Sequence, residues 1–163
     1  MASPQFENSL NDGIHADLKS LAGSWTGTTK VWFEPGKLAD ESPFSAEARS
    51  VLGHRFLHVE YQGSLQGNRI DGIMILGCSL GLQQMQCAWI DSFHNGTAIM
   101  FSENNGTSFP FSVKGSYGSE PKWGWRTNLE INSPEKFTIT MFNISPDGEE
   151  AKAVEMVFER GSL

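Results

Sequence analysis

The segment Gly23-Ser24-Trp25-Thr26-Gly27 decides the fold of this chain. It lies between a short amphipathic stretch that ends near Leu21 and a long series of alternating, strand-like segments. A helix that leads into a Gly-x-Trp-x-Gly strand is typical of a single-chain antiparallel barrel whose indole closes one end. We therefore predict that Trp25 closes the bottom of a barrel, and that the interior is the place to look for function.

The composition is that of one globular domain. The chain has 163 residues, of which 39% are hydrophobic and 11% aromatic, enough to bury a core. Its net charge of −7 argues against nucleic acid and anionic membranes as partners, because both attract clustered Lys and Arg. No apolar run approaches the ~20 residues of a membrane span. Residues 1–11 lack the basic and apolar regions of a signal peptide, so the expected location is the cytoplasm.

The N-terminal residues predict one short helix before the strands begin. Apolar residues recur at helical spacing up to Leu21, and Asn11 or Asp12 supplies a candidate cap. We expect residues 1–10 to form a flexible arm. We expect residues 11–163 to form a single β-barrel domain.

After Gly23 the pattern changes to the two-residue period of strands, and turn-forming Asn, Asp and Gly residues separate the segments. About ten strands are expected, at residues 25–34, 46–52, 55–62, 69–78, 83–92, 97–102, 109–117, 123–131, 137–143 and 152–160. A meandering barrel removes sheet edges and, at about eight to ten strands, leaves room for a small ligand. The predicted fold class is all-β, an antiparallel barrel, with a Greek-key β-sandwich as the alternative.

Strand alternation predicts an interior lined by Trp, Met and Phe. Trp89 and Asp91 share the inner side of the fifth strand, and a carboxylate beside an indole is partly desolvated, which perturbs its pKa. Trp125 and Thr127 share a side of the eighth strand, whereas alternation points Arg126 the other way. The residues expected to contact a ligand are Phe56, Met85, Trp89, Asp91, His94, Trp125, Thr127 and Met141, with Arg126 as the weakest polar contact.

Arg160 ends an apolar face of the last strand that also carries Val154, Met156 and Phe158. The first and last strands pair when a barrel closes. We therefore expect the Arg160 guanidinium to stack on Trp25 as a cation–π contact over the closed end. The alternative is an exposed terminal arginine.

Two cysteines, Cys78 and Cys87, are expected to be free thiols. A hairpin that turns near Leu80-Gly81 places Cys78 opposite Gln83 and Cys87 opposite Met74. The two sulfurs would then be roughly 13 Å apart, given the rise of a strand. That separation is too long for a disulfide.

Two groups of residues are candidates for chemistry. Asp91 and His94 flank a turn near one barrel opening, where an Asp–His pair can act as general base and orienter. His54, His58 and Glu60 share one side of a strand, but residues i and i+4 there are about 13 Å apart, too far to share one metal ion. We therefore expect no metal site, and no nucleophile motif accompanies Asp91 and His94.

Several segments together resemble a bacterial family catalogued as domain of unknown function 1579. They are Leu21-Ala-Gly-Ser-Trp-Thr-Gly, Trp32-Phe-Glu-Pro-Gly, Leu52-Gly-His-Arg-Phe-Leu, Glu60-Tyr, Trp89-Ile-Asp-Ser-Phe-His, Gly124-Trp-Arg-Thr and Glu149-Glu-Ala-Lys-Ala-Val-Glu. The resemblance runs from about Leu18 to Arg160. It implies a calycin-like barrel related in shape to lipocalins and fatty-acid-binding proteins, and it implies no established activity.

A weaker resemblance, to nitrobindin-type haem barrels, rests on the Gly-x-Trp-x-Gly opening alone. Those barrels use a late histidine as the iron ligand, whereas no histidine follows His94 here, so no haem or other cofactor is expected. The leading hypothesis is a cytoplasmic protein that binds a small, mostly apolar molecule inside the barrel. The alternatives are an enzyme that uses Asp91 and His94, a haem barrel, and a structural or dimerising module, such as a homodimer, whose barrel is filled by its own side chains.

Overall fold

Ten antiparallel strands close into a barrel behind two short helices in the computed structural model, which describes residues 1–161. The helices are α1 (Pro4–Asp12) and α2 (Ile14–Ser20). The strands are β1 (Gly23–Glu34), β2 (Lys37–Val51), β3 (Phe56–Leu65), β4 (Asn68–Ser79), β5 (Gln84–Asp91), β6 (Met100–Asn105), β7 (Phe111–Tyr117), β8 (Trp123–Ser133), β9 (Lys136–Ile144) and β10 (Glu150–Arg160). Neighbours in sequence pair throughout, and β1 also pairs with β10. The predicted fold class and strand number are confirmed.

The second strand is longer than predicted. Residues 37–45, which lie outside the predicted strand at 46–52, belong to β2 although Pro43 has no N–H to donate to a ladder. Pro43 pairs with Thr28 of β1, whereas the β2–β3 ladder begins only at Phe44. Pro43 therefore lies where β2 has a neighbour on one side, a position that tolerates proline.

Helix α1 (Pro4–Asp12) takes up most of residues 1–10, where no helix was predicted. Ser3 caps α1 by accepting a hydrogen bond from the Phe6 backbone N–H at 3.2 Å. Phe6 is buried, with its ring 4.9 Å from that of His15 and the Arg55 guanidinium 4.6 Å above it. Gly13, in an extended conformation, separates the helices and is the N-cap of α2 in place of Asn11 or Asp12. Neither helix of the described residues has the length and apolarity to cross a membrane.

Aromatic packing fills the end of the barrel that α2 covers. Trp25, Phe137 and Phe158 form this closed end, which we call the floor. The Trp25 ring meets Phe137 edge-on at 4.7 Å, and Phe137 stacks on Phe158 at 4.1 Å. The Trp25 indole N–H donates to the carbonyl of Leu21, just after α2, at 2.9 Å. The buried indole therefore ties the helix to the barrel.

Arg160 secures the floor from outside. It lies opposite Trp25 in the β1–β10 register, and its Cζ atom is 4.2 Å from the Trp25 ring centroid. Its Nη1 and Nη2 donate to the carbonyls of Ala22 and Ser20, both at 2.9 Å, and Nη2 also donates to Pro134 at 3.2 Å. One guanidinium thus joins the end of α2, the β8–β9 turn and the seam where the barrel closes.

The β4–β5 hairpin is shifted by two residues from the predicted register. A turn over residues 80–83 places Cys78 opposite Met85 and Cys87 opposite Leu76. Both cysteines are free thiols. Full burial raises the pKa of Cys87 to about 12, so this thiol is unreactive at neutral pH.

Removal of the floor indole should test how strongly closure depends on it. We expect Trp25→Ala to lower the free energy of unfolding by about 3–5 kcal/mol, because the side chain is fully buried. Urea denaturation of Trp25→Ala, Arg160→Ala and the double variant should give a coupling energy of at least ~0.5 kcal/mol. Arg69→Ala, on an exposed arginine paired with Asp71, is the control and should lower the free energy of unfolding by less than Arg160→Ala does. Additive losses would show that the cation–π contact contributes nothing.

Candidate functional site

The barrel end opposite the floor, which we call the mouth, is covered by residues 92–99 between β5 and β6. We call these residues the mouth loop. Its Phe93 ring lies 5.8 Å from that of Phe33 near the end of β1, and both are exposed. The following residue, His94, points inward, with ring centroids 5.5 Å from Trp89 and 6.0 Å from Trp125. The loop therefore closes the mouth with an aromatic contact outside and an imidazole beneath it.

Asp91 holds the mouth loop in place through hydrogen bonds to both of its carboxylate oxygens. Oδ1 accepts hydrogen bonds from the backbone N–H groups of Phe93, at 2.9 Å, and His94. Oδ2 is 2.7 Å from His94 Nδ1 and accepts from the Tyr61 hydroxyl at 3.1 Å. Asn95 adds two bonds, accepting from the Asp91 N–H and donating to the Trp89 carbonyl. A carboxylate only accepts, so His94 carries its proton on Nδ1, and in the neutral ring Nε2 is a free acceptor.

Tyr61 reaches Asp91 across an intervening strand because that strand carries a glycine. Tyr61 lies opposite Gly72 on β4, which in turn lies opposite Asp91 on β5. A Cβ on Gly72 would be 2.0 Å from Tyr61 Cζ and 2.2 Å from its hydroxyl oxygen. The Tyr61 ring therefore lies over the bare backbone, where its hydroxyl also accepts from the Trp89 indole N–H at 2.8 Å.

Burial and hydrogen bonding set the protonation of this network. Burial raises the pKa of the Asp91 carboxyl, but the hydrogen bonds and charge of His94 and the Phe93 N–H outweigh it, and the net pKa is lowered. Burial, and then the neighbouring Asp91 charge, raise the pKa of Tyr61 well above its usual value. At neutral pH, Asp91 is therefore an anion and Tyr61 a hydroxyl donor.

Trp125 carries a buried polar atom that has no partner among the described residues. Its ring stacks on that of Trp89 with centroids 5.2 Å apart, so no ligand fits between the two indoles in this conformation. Within residues 1–161, the buried Nε1 of Trp125 has no hydrogen-bond acceptor. An unsatisfied buried donor costs about 1–3 kcal/mol, and a group that brings an acceptor to it recovers that energy.

The interior itself is almost filled. The cavity between Tyr61, Asp91 and His94 has a volume of about 20 Å³, enough for one water-sized molecule. Two larger grooves, of about 750 and 810 Å³, lie outside on the strand surfaces. The first crosses the outer side of β1 to β5, where polar side chains such as Glu47 and Glu60 alternate with apolar ones such as Ile73. A ligand larger than water therefore needs the mouth loop to move.

Most of the residues expected to contact a ligand do face the interior. The buried ones are Met85, Trp89, Asp91, Trp125, Thr127 and Met141, and His94 is partly buried in the mouth loop. Two expectations are wrong. Phe56 points outward and is 38% exposed, because the inward residues of β3 are Leu57, Val59 and Tyr61.

Arg126 also points outward, as alternation from Trp125 indicated. Its guanidinium makes two bonds to the Glu150 carboxylate, at 2.7 and 3.0 Å, and lies 4.1 Å from the Phe142 ring centroid. It cannot contact an interior ligand. The residue that the sequence analysis missed is Tyr61, whose signal was the apolar alternation Leu57-x-Val59-x-Tyr61 beside the polar His58-x-Glu60 face.

The three candidate metal ligands, His54, His58 and Glu60, do not come together. His54 lies in the β2–β3 turn with a φ angle of +66°, and its Nδ1 is 2.9 Å from the Ser50 hydroxyl. His58 Nε2 lies 3.9 Å from a carboxylate oxygen of Glu60 on the outer surface. Among residues 1–161, no group of three His, Cys, Asp or Glu side chains is arranged to hold a metal ion.

The fold and the site define a closed antiparallel barrel with an aromatic floor and a polar, loop-covered mouth. The chain belongs to the family of proteins of unknown function called DUF1579, whose model matches residues 11–160. The resemblance predicted from the sequence is thus confirmed. No curated protein matches the chain.

Two solved structures show the same fold. Rv2717c from M. tuberculosis superposes with a TM-score of 0.61 at 13% identity, covering 99% of this chain and all of that one. The S-type phycobiliprotein lyase CPES from Guillardia theta gives a TM-score of 0.60 at 9% identity, covering 99% of each chain. At these identities the similarity shows the fold alone.

Substitution of Gly72 should disrupt the mouth network. We expect Gly72→Ala to displace the Tyr61 ring and to lower the free energy of unfolding by roughly 1–3 kcal/mol, because the added methyl overpacks the site. Gly81→Ala is the matched control, since a Cβ there meets nothing within 4 Å. Chemical denaturation measures both. Equal stabilities for the two variants would mean that Tyr61 is not held over Gly72.

The Asp91 carboxylate should make stability depend on pH. Because its folded pKa is lowered, its contribution is complete above the unfolded pKa of about 3.9 and is lost as pH falls through the folded value. At pH 7 we expect Asp91→Asn to lower the free energy of unfolding by about 1–3 kcal/mol. The difference from wild type should narrow as the pH is lowered below about 4. Asp71→Asn, on an exposed carboxylate, is the control and should lower the free energy of unfolding by less. If the destabilisation by Asp91→Asn did not change with pH, the ionised, hydrogen-bonded state of Asp91 would be contradicted.

Proposed function

We propose that this protein binds a small, uncharged, mostly apolar molecule at the mouth of the barrel, beneath the mouth loop. The buried indole N–H of Trp125, which has no protein acceptor within residues 1–161, is the observation that carries the proposal. It favours a ligand with a hydrogen-bond acceptor, such as a carbonyl or hydroxyl oxygen. Trp89, Met141 and Tyr61 provide a buried wall around it.

The charge of the site favours a neutral ligand. Asp91 already places one negative charge in the mouth, and its oxygens are engaged by His94, Phe93 and Tyr61. A second anion there would be desolvated close to the first, at a considerable cost. A neutral carbonyl compound meets the Trp125 N–H without that penalty.

Access requires the mouth loop to open. Gly96, with a φ angle of +59°, lies within the loop, and its outer fastening is the exposed Phe33–Phe93 contact. Displacement of the His94 ring, whose centroid lies 6.0 Å from that of Trp125, would extend the small cavity beside Asp91 towards the Trp125 indole. The apparent association constant is then the intrinsic one multiplied by the fraction of molecules in which the loop is open.

A second candidate function is proton transfer. The distance of 2.7 Å between Asp91 Oδ2 and His94 Nδ1 favours it, because a buried carboxylate that fixes the tautomer leaves Nε2 as a base. This function predicts a pH-dependent turnover of carbonyl compounds or esters that disappears in both Asp91→Asn and His94→Ala.

The binding proposal can be tested with prodan, a neutral naphthalene dye whose ketone is an acceptor. We expect prodan emission to shift to the blue on titration with protein, and Trp125→Phe to weaken binding roughly 2–10-fold through the lost N–H bond. Trp123→Phe, on a rim residue that is 43% exposed, is the control for loss of an indole elsewhere. 2-(Dimethylamino)naphthalene lacks the ketone. Its affinities for wild type and for Trp125→Phe should therefore differ much less than those of prodan.

The outcomes separate the hypotheses. Equal prodan affinities for Trp125→Phe and Trp123→Phe would place the probe elsewhere, for instance in an outer groove. Absence of binding by either dye, with both variants folded by circular dichroism, would favour a barrel filled only by its own side chains.

A further inference from the structure

The outer surface of β3 to β6 carries an apolar face that the core does not use. Its side chains are Phe56, Ile75, Ala88 and Phe101, together with Ile99 at the end of the mouth loop just before β6, and we call this set the apolar face. Phe101 is 69% exposed and Ile99 is 57% exposed. Ile75, Ala88 and Phe101 lie directly opposite one another on successive strands, so they form one continuous row.

This face differs from the usual outer side of an antiparallel sheet, which is polar. The inward positions of the same strands are occupied by buried residues such as Met74, Leu76 and Trp89. The apolar face therefore contributes nothing to the interior. It forms a groove of about 810 Å³ floored by Gly77 and Gly115. Contiguous exposed apolar surface of this kind marks an interaction site.

The groove beside the apolar face lies over the β6–β7 seam, which has the fewest paired residues of the barrel as described. β6 and β7 share only the pair Glu103 with Lys114, whereas β5–β6 has six pairs and β7–β8 has seven. Gly115 permits the close approach there, since a Cβ on it would lie 2.2 Å from the Phe101 carbonyl oxygen. A partner bound over this seam would hold β6 and β7 together.

Charge identifies the occupant as a second copy of this chain. Glu103 and Lys114 border the groove, and among residues 1–161 neither takes part in an ion pair, whereas nearby Arg49 and Glu60 pair with each other at 3.5 Å. One acid and one base side by side are self-complementary under two-fold symmetry. The net charge of −7 opposes association of two copies, and the groove, whose charged residues are one acid and one base, adds no net charge to that repulsion.

We propose that two copies of the protein pair through the apolar face about a two-fold axis. The Phe101 side chain of each copy lies in the groove of the other, and Glu103 of each copy meets Lys114 of the other. Within the described residues, the groove lacks the basic cluster that nucleic acid or an anionic membrane requires. The dimer does not depend on ligand binding at the mouth.

Sedimentation analysis of the full chain tests the dimer directly. We expect wild type to sediment as a dimer at micromolar concentration and Phe101→Ser to sediment as a monomer. Leu82→Ser is the matched control: Leu82 is 68% exposed, similar to Phe101, but lies in the β4–β5 turn away from the face. A monomeric wild type, or a Phe101→Ser variant as dimeric as Leu82→Ser, would overturn the proposal.

Charge exchange tests the orientation of the two copies. Glu103→Lys and Lys114→Glu should each weaken homodimerisation roughly tenfold or more, because like charges then meet across the axis. A mixture of these two single variants should form a heterodimer, in which the introduced lysine of one chain meets the introduced glutamate of the other. Each of these chains carries only one of the two exchanged charges, so a contact within one chain cannot explain the heterodimer. Failure of the mixture to associate, while wild type dimerises, would overturn the proposed two-fold arrangement.

Discussion

Closure between β1 and β10 is the constraint on which the rest of the structure depends. A sheet of ten strands whose first and last members did not pair would expose two edges and open the interior to water. The chain secures this seam with Trp25 and Arg160, which lie opposite each other in the register. Arg160 places its planar donors on carbonyls from α2 and from the β8–β9 turn, so the same side chain also attaches the helix that covers the floor. A lysine, with a single point charge, has no equivalent geometry.

The two ends of the barrel are built differently. The floor is aromatic, and its one polar atom, the Trp25 indole nitrogen, has a carbonyl partner. The mouth contains a carboxylate, an imidazole and a phenol in a network that depends on the bare backbone of Gly72. Such a network is stable only when each buried member is bonded. Asp91 and Tyr61 meet that condition because they are bonded to each other, whereas the Nε1 of Trp125 beside them has no acceptor among residues 1–161.

The sequence predicted the features that follow from strand period and barrel closure. Ten strands, the inward Trp89 and Trp125, and the pairing of the first strand with the last were all accessible from alternation. Phe56 lies outside because the alternation of Leu57 and Val59 on β3 sets its phase. Arg126 lies outside because its phase on β8 is opposite to that of Trp125.

The features that the sequence did not predict depend on contacts between distant residues. Ser3 at the N-cap, Pro4 in the first turn and Glu7 are a local signal for α1, whereas the contact of Phe6 with Arg55, which holds the helix, joins residues far apart in the chain. Pro43 forms part of a strand because β3 pairs only from Phe44 onward. Tyr61 becomes a site residue because a glycine on the next strand leaves room for its ring.

The small interior volume changes what would determine ligand recognition at the mouth. In an open barrel, affinity follows the apolar area that a ligand buries. Under the proposed function, a ligand would first have to displace His94, which would break its 2.7 Å contact with Asp91 and the aromatic contact between Phe33 and Phe93. Apolar area alone would offset that cost poorly, because the buried wall is already packed against itself. An acceptor that satisfied Trp125 would distinguish one ligand from another, so selectivity at this site would come from one hydrogen bond more than from shape.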